Sequence, residues 1–422
     1  MADAPSGGPQ LLLPLRLRDF RLVFAGESVS LVGDQFHFVA LAWLTLQLTG
    51  SGLALGGVLT AAAIPRAVFM LIGGALSDRV SPRSLMLASN ALRAVVVGVV
   101  AALVLTGNAE LWQLFVLAAI FGTVHAVFHP ALNTIVPMLV KDRLLPPANA
   151  LVQIMQQLSG LIGPVLAGLV VAAIQTGPAF AVDAASFAIA TLTLLLVQGG
   201  RRASPSSGEA PASLLANIGS GLSYAWRDPA VRSLILLVAA FNLAFTGPLL
   251  VGLPYLADTR FGGPAALGIL FAAWGAGALI GAILAGSIRR VPRLGLVTLL
   301  VAVGLGIGVA LVGNAPSLAL ALPVMGAVGL GAGFINVRVI AWLQARTPEA
   351  MRGRIMSLLM LGAVGLAPIS LAVAGAIIDF GAVSSMFWAA GGMVVVAALV
   401  AVVSGVPGQM VDTEEGASPG CG

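Results

Sequence analysis

Polar residues along this chain are sparse and clustered, and the stretches between them are apolar for about 20 residues at a time, the length that crosses a bilayer. Twelve such runs can be drawn. In the first half they cover about Leu22 to Leu48, Leu53 to Leu76, Leu85 to Leu105, Leu111 to Val136, Leu151 to Ile174 and Ala179 to Val197. In the second half they cover about Ser233 to Leu256, Leu267 to Ile288, Leu294 to Val312, Leu318 to Leu343, Ile355 to Ile378 and Ser384 to Val403. The runs are long and rich in Ala, Leu, Gly and Val, without the short alternation of a membrane β-barrel. The pattern predicts an all-α integral membrane protein with twelve transmembrane helices.

Between the sixth and seventh runs, Arg201 to Pro211 is Arg, Ser, Pro, Gly and Glu, with almost no large apolar residue. We read it as a linker. The expected organisation is a six-helix half over 1–200, a cytoplasmic linker over 201–232, a second six-helix half over 233–405 and a polar tail over 406–422. An interfacial helix carrying Tyr224 and Trp226 is expected within Ser213 to Arg232. Two weak echoes relate the halves: Arg79-x-x-Pro82-Arg83 recurs as Arg289-x-x-Pro292-Arg293, and Pro164 of the fifth run matches Pro368 of the eleventh. Paired six-helix halves are a transporter architecture.

Composition supports this reading. Of 422 residues, 59% are hydrophobic and 9% charged, against about 25% charged in soluble domains. The net charge of +5 comes from loop arginines rather than from a basic stripe, so nucleic acid is not an expected partner. Arg16, Arg18 and Arg21, then Arg79 and Arg83, then Lys141 and Arg143 mark alternate loops. The linker, Arg289-Arg290-Arg293 and Arg346, Arg352 and Arg354 mark the same side in the second half. The positive-inside rule then places both termini in the cytoplasm of a multi-pass plasma-membrane protein. The one cysteine, Cys421, excludes an intramolecular disulfide and a Cys-based metal site. No cleavable signal peptide is evident before the first span.

The loop between the second and third runs, Gly73-Gly74-Ala75-Leu76-Ser77-Asp78-Arg79-Val80-Ser81-Pro82-Arg83, packs an acid and two arginines into a short turn. It resembles the helix 2–3 loop motif of the major facilitator superfamily, with Gly74, Leu76, Ser77, Asp78, Arg79 and Arg83 at the matching positions. Gly160-Leu161-Ile162-Gly163-Pro164-Val165-Leu166-Ala167-Gly168 resembles the fifth-helix motif of that family's drug:proton antiporters. Its ordinary alternative is close packing by small residues. Longer phrases from Arg21 to Asp34, from Phe128 to Leu151 and from Asp183 to Phe187 resemble bacterial exporters of the enterobactin and macrolide type.

Ionisable groups inside spans are costly, and each is a functional candidate. Asp34 lies in the first run with Glu27 seven residues earlier, two helical turns away and therefore on the same face. An acid in this position can exchange a proton between alternating-access states. The alternative is a structural acid bonded to backbone or to an arginine. Glu27, nearer the cytoplasmic end, has an interfacial reading as well. Arg66, Arg93 and Arg338 each need an anionic partner or a wet cavity, whereas Asp183 and Asp379 lie towards span ends. Structural pairing is the preferred reading for these five. His125 and His129 are one turn apart but lack the glutamate and third ligand of a metal site, which leaves a cavity-lining or relay role. There is no Walker A sequence and no nucleophile–base constellation, so neither ATP-driven transport by this chain alone nor an enzyme is expected, and no cofactor is implied.

The resemblance implies alternating access and export driven by protons. It implies too that Asp78, Arg79 and Arg83 latch the second helix near Arg352 and Arg354. Asn90 stands where relatives often carry an acid before the third-helix arginine. The expected function is export of a small amphipathic molecule (drug, antibiotic, siderophore or related metabolite) by a monomer in the lipid bilayer, in exchange for protons. An importer or facilitator of the same fold, or a non-transporting receptor or assembly factor, remains the alternative.

Overall fold

The computed structural model describes residues 10–77, 80–199, 223, 226–288, 291, 293–348, 351, 355–356, 358–359, 362 and 364–403. Among them there is no strand. The helices are α1 (Arg18–Thr49), α2 (Gly52–Ser77), α3 (Pro82–Leu105), α4 (Leu111–Leu139), α5 (Leu145–Ile174) and α6 (Thr176–Leu196) in the first half. The second half has α7 (Pro229–Gly247), α8 (Leu253–Thr259), α9 (Pro264–Ser287), α10 (Leu294–Asn314), α11 (Leu318–Arg346), α12 (Ala367–Phe380) and α13 (Val383–Val403). Eleven segments among the described residues are long and apolar enough to span a membrane, with α7 and α8 forming one of them. The eleventh expected run is represented by α12, a shorter apolar helix, because much of 349–363 lies outside the described residues. Most of the expected interfacial helix and the tail from 404 onward also lie outside them.

Local chemistry sets the helix ends. Ser81 caps α3 by accepting from the Ser84 N–H at 3.2 Å, with Pro82 in the first turn. The α3 C-terminus closes on Gly107, whose φ of 73° needs a residue without a Cβ. Pro146 and Pro147 open α5. Pro164 stays inside α5, whereas Pro368 lies in the first turn of α12, so the two prolines of the sequence echo play different local parts.

The join between α7 and α8 is a π-turn, Pro248–Gly252. Pro248 has no N–H to give the helix, and the Ser370 hydroxyl from α12 enters the ladder beside it. The Gly247 N–H donates to Ser370 Oγ at 2.7 Å, and Ser370 Oγ donates to the Leu243 carbonyl at 2.6 Å. One side chain thus satisfies both backbone groups and ties α12 to α7.

The chain packs as two compact units, one of 1–44 with 64–208 and the other of 45–63 with 209–422. The first part of α2 therefore belongs with the second unit. Asp379, at the end of α12, accepts from Ser51 Oγ at 2.5 Å and from the Gly52 N–H at 2.7 Å, capping α2 with a carboxylate. Gly56 packs directly on the Leu371 carbonyl of α12.

In the first unit, α3 pairs with α6, and Phe20, Met86, Phe128, Leu132 and Leu194 fill an apolar core. In the second, α9 pairs with α11 and α10 with α13. The α9–α11 seam is backbone on backbone: a Cβ on Gly329 would stand 2.0 Å from the Trp274 carbonyl oxygen. Large apolar side chains such as Val95, Leu192, Leu300 and Val400 remain on the outside. An apolar surface on this scale suits lipid and would aggregate in water.

Candidate functional site

The densest polar cluster in the first unit forms where α1, α3 and α6 meet. Arg93 on α3 is its centre, with 1% of its surface exposed. Its guanidinium lies 4.4 Å from each of the Phe128 and Phe187 ring centroids and 5.9 Å from that of Phe121. Nη2 donates to Asn90 Oδ1 at 2.6 Å, and Nε donates to the Ser89 carbonyl at 3.4 Å. Nη1 stands 3.6 Å from Asp34 Oδ1. A planar, permanently charged group with several donors can serve these partners together.

Asn90 turns its other end to α1, where Nδ2 donates to Glu27 Oε1 at 3.0 Å. The amide thereby relays Glu27 to Arg93. An asparagine in place of an acid does not leave Arg93 alone, because α1 supplies the negative charge through Asp34. Glu27 is 1% exposed. Its interfacial reading is replaced by a buried one, since the side chain points inward at Asn90.

Asp34 differs from the other acids of the cluster. Its side chain keeps 17% of its surface exposed, while that of Asp183 keeps none. Asp34 is also the opposite charge acting on Arg66 of α2, whose own side chain is exposed. Asp183, read from sequence as lying towards a span end, is fully buried on α6 and faces His37 of α1, with His37 Nδ1 3.2 Å from Asp183 Oδ2. The approach of α6 to α1 requires Gly33, where a Cβ would meet Ser186 Oγ at 1.9 Å and Asp183 Oδ1 at 2.9 Å.

The other candidates are placed elsewhere. Arg83 donates from Nε to the Leu194 carbonyl and from Nη2 to the Leu195 carbonyl, both at 3.0 Å, so it closes the C-terminus of α6. Gly74 lies within α2, whereas Asp78, Arg79, Arg352 and Arg354 lie outside the described residues. Arg338 on α11 donates to the Ile288 carbonyl at the end of α9 and is a helix-end contact. His125 lies near the Phe121 ring, with centroids 6.3 Å apart; the His129 side chain is outside the described residues. Among the described residues no group of three His, Cys, Asp or Glu side chains could hold a metal. In the α5 motif, Gly163 and Gly168 are buried beside Pro164, and a Cβ on Gly163 would meet the Gln35 side chain of α1 at 2.4 Å. Gly160 faces open space, so its part of the motif does no packing.

Sequence reasoning passed over His37. The signal was its place three residues after Asp34, which puts the two on one side of α1. The aromatic box was also overlooked, because Phe121, Phe128 and Phe187 read individually as ordinary apolar positions.

Buried charges paired across the helices of a polytopic all-α protein, with two helical units in one chain, are features that membrane transporters share. Residues 23–372 match the Major Facilitator Superfamily. The chain belongs to that family, and it is a transport protein rather than an enzyme. It is 26% identical over 388 residues to the multidrug efflux pump Tap of Mycolicibacterium fortuitum, covering 89% of this chain and 92% of that protein. It is 27% identical over 339 residues to the enterobactin exporter EntS of Shigella boydii, covering 80% of each. Among solved structures, a bacterial homologue of the iron transporter ferroportin in an inward-facing state superposes with a TM-score of 0.69 at 18% identity, covering 92% of this chain and 98% of that one. The nucleoside transporter NupG superposes with a TM-score of 0.69 at 14% identity, covering 92% and 98%. These two likenesses concern the fold.

Proposed function

We propose that this protein exports small amphipathic molecules from the cytoplasm in exchange for protons, with Asp34 as the coupling acid. The observation that carries the proposal is the charge balance of the cluster. Glu27, Asp34 and Asp183 surround one buried guanidinium, that of Arg93. Three carboxylates cannot all be neutralised by this one buried cation in an apolar setting, even with the exposed Arg66 acting on Asp34, and taking up protons is the inexpensive remedy. Asp34 is the acid with access to the outside of the cluster, so it is the group that meets water and cargo first.

Direction and cargo class follow the relatives, both named as exporters or efflux pumps and matched over most of their length. Substrate would bind within the membrane to a monomer whose termini are cytoplasmic, as the loop arginines suggest. In this reading the halves 1–200 and 233–405 move about the linker 201–232, and 406–422 is a cytoplasmic tail. The loop of Gly74, Asp78 and Arg79 remains the proposed latch towards Arg352 and Arg354, with Arg83 assigned to holding α6. Glu27 tunes Arg93 through Asn90, while Gly163, Pro164 and Gly168 shape α5 beside α1.

The test is accumulation of a panel of fluorescent and antibiotic compounds in an efflux-deficient bacterium, with and without an uncoupler. Lower accumulation that the uncoupler abolishes supports the proposal. Uptake of a compound down or against its gradient, or efflux indifferent to the uncoupler, contradicts it.

A further inference from the structure

The pairing of Asp34 with Arg93 leaves a second titratable group on α1 without a part to play. His37 follows Asp34 by three residues and leaves the helix on the same side. It is 5% exposed and lies flat on Phe121, with centroids 4.1 Å apart and planes within 4°. Phe180 closes it edge-on at 5.8 Å. The imidazole is thus clamped with Nδ1 3.2 Å from Asp183 Oδ2, and neither of these buried atoms makes a hydrogen bond in this arrangement. Asp183 has no exposed surface, and neither of its carboxylate oxygens accepts a hydrogen bond. The nearby Ser186 hydroxyl donates to the Asp183 backbone carbonyl at 2.7 Å. A bare carboxylate so placed is costly, and Arg93 is already engaged by Asp34 and Asn90.

We propose that His37 and Asp183 form a buried couple that holds one exchangeable proton, loaded and unloaded by way of Asp34. This deepens the reading of the cluster as the coupling site and rests on it. An imidazole suits the task because its two nitrogens can exchange roles. In the loaded state the Asp183 carboxyl donates its proton to His37 Nδ1 while Nε2 carries the ring proton. In the unloaded state the Asp183 proton has moved to Nδ1, the Nε2 proton has left to the Asp34 carboxylate, and Nδ1–H donates to the Asp183 carboxylate. One proton leaves the couple and Asp34 becomes a carboxylic acid; a small turn of the ring closes the hydrogen bond to the carboxyl, which the 3.2 Å approach permits.

The charged and titratable groups facing the couple come from every neighbouring helix. Asp34 and, further along, Glu27 come from α1, and Arg93 from α3. Arg66 of α2 acts through Asp34, and His125 of α4 lies beyond the Phe121 ring. A purely structural pair would not need an acid with outside access one turn away on the same helix.

The test is an infrared pH titration of the full-length protein in lipid nanodiscs, following the carbonyl stretch of protonated carboxyl groups. It is made on the parent protein and on Asp34→Asn, Asp183→Asn and His37→Gln, each checked for monodispersity. The expected result is a titrating band that disappears in Asp183→Asn and survives at equilibrium in Asp34→Asn, where it responds more slowly to a pH jump because the route through Asp34 is lost. In His37→Gln, which keeps a polar partner but cannot take a proton, the band's midpoint should move by about one pH unit or more. If the band persists in Asp183→Asn, or does not move in His37→Gln, the couple is overturned. Should Asp183→Asn fail to fold, the His37→Gln shift alone decides. No transport is measured, so a failure of proton-driven export would not alter this outcome. A band lost only in Asp34→Asn would overturn the couple while leaving Asp34 as the coupling acid.

Discussion

Arg93→Met tests whether one cation holds the cluster together. Methionine can fill much of the space of the arginine stem between Phe128 and Phe187, so the substitution removes charge more than volume. It leaves Asp34 without the guanidinium 3.6 Å away, and Asn90 with nothing to relay to Glu27. Breaking a buried pair by removing one partner costs about 3–5 kcal/mol. The ring contacts at 4.4 Å fall within that range rather than adding to it, since such terms are not independent. The sign of the pH dependence follows from the acids left behind. At low pH they take up protons and the unpaired charge vanishes; at high pH they are ionised and the penalty is felt in full. Unfolding in mild detergent, followed by tryptophan fluorescence, should show the full loss at about pH 8 and a clearly smaller one at about pH 5. Equal losses at both, or a change within about 0.5 kcal/mol at about pH 8, would refute the charge argument.

Other perturbations separate packing from chemistry. Gly33→Ala places a methyl 1.9 Å from Ser186 Oγ and 2.9 Å from Asp183 Oδ1 and should cost about 1–3 kcal/mol, with Ser186→Gly restoring part of the stability in the double variant. Gly329→Ala drives a methyl onto the Trp274 carbonyl; the same melt should show a loss of at least that size, because backbone cannot rotate away. Gly160→Ala meets nothing within 4 Å and should be neutral or gain up to about 1 kcal/mol from helix propensity. Asp379→Ala removes the acceptor for Ser51 and Gly52 and should cost about 0.5–2 kcal/mol, with Asp379→Asn intermediate.

Span placement was legible because each run is apolar over most of its length, a signal that survives ignorance of what packs against what. The site was legible only in outline. Asp34, Glu27 and Arg93 announced themselves as charges in apolar runs, and the seven-residue spacing put the two acids on one face. That face does meet Arg93, directly through Asp34 and by way of Asn90 for Glu27. The partners came from helices distant in sequence. Asp183 lies 146 residues after His37, by their numbering, and only the close approach of α6 at Gly33 brings them together. Arg338 read as a charge inside an apolar run and Arg83 as part of the loop motif, yet both serve helix ends, because a long arginine can reach carbonyls well away from its own backbone.

The most direct test of the central claim is exchange in proteoliposomes carrying the full-length protein, with ethidium as probe and an imposed proton gradient. The parent protein should move ethidium when the proton gradient is imposed. Asp34→Asn should lose that movement while binding ethidium about as tightly, because the amide mimics the protonated acid. Undiminished uphill movement by Asp34→Asn would remove Asp34 from the coupling mechanism.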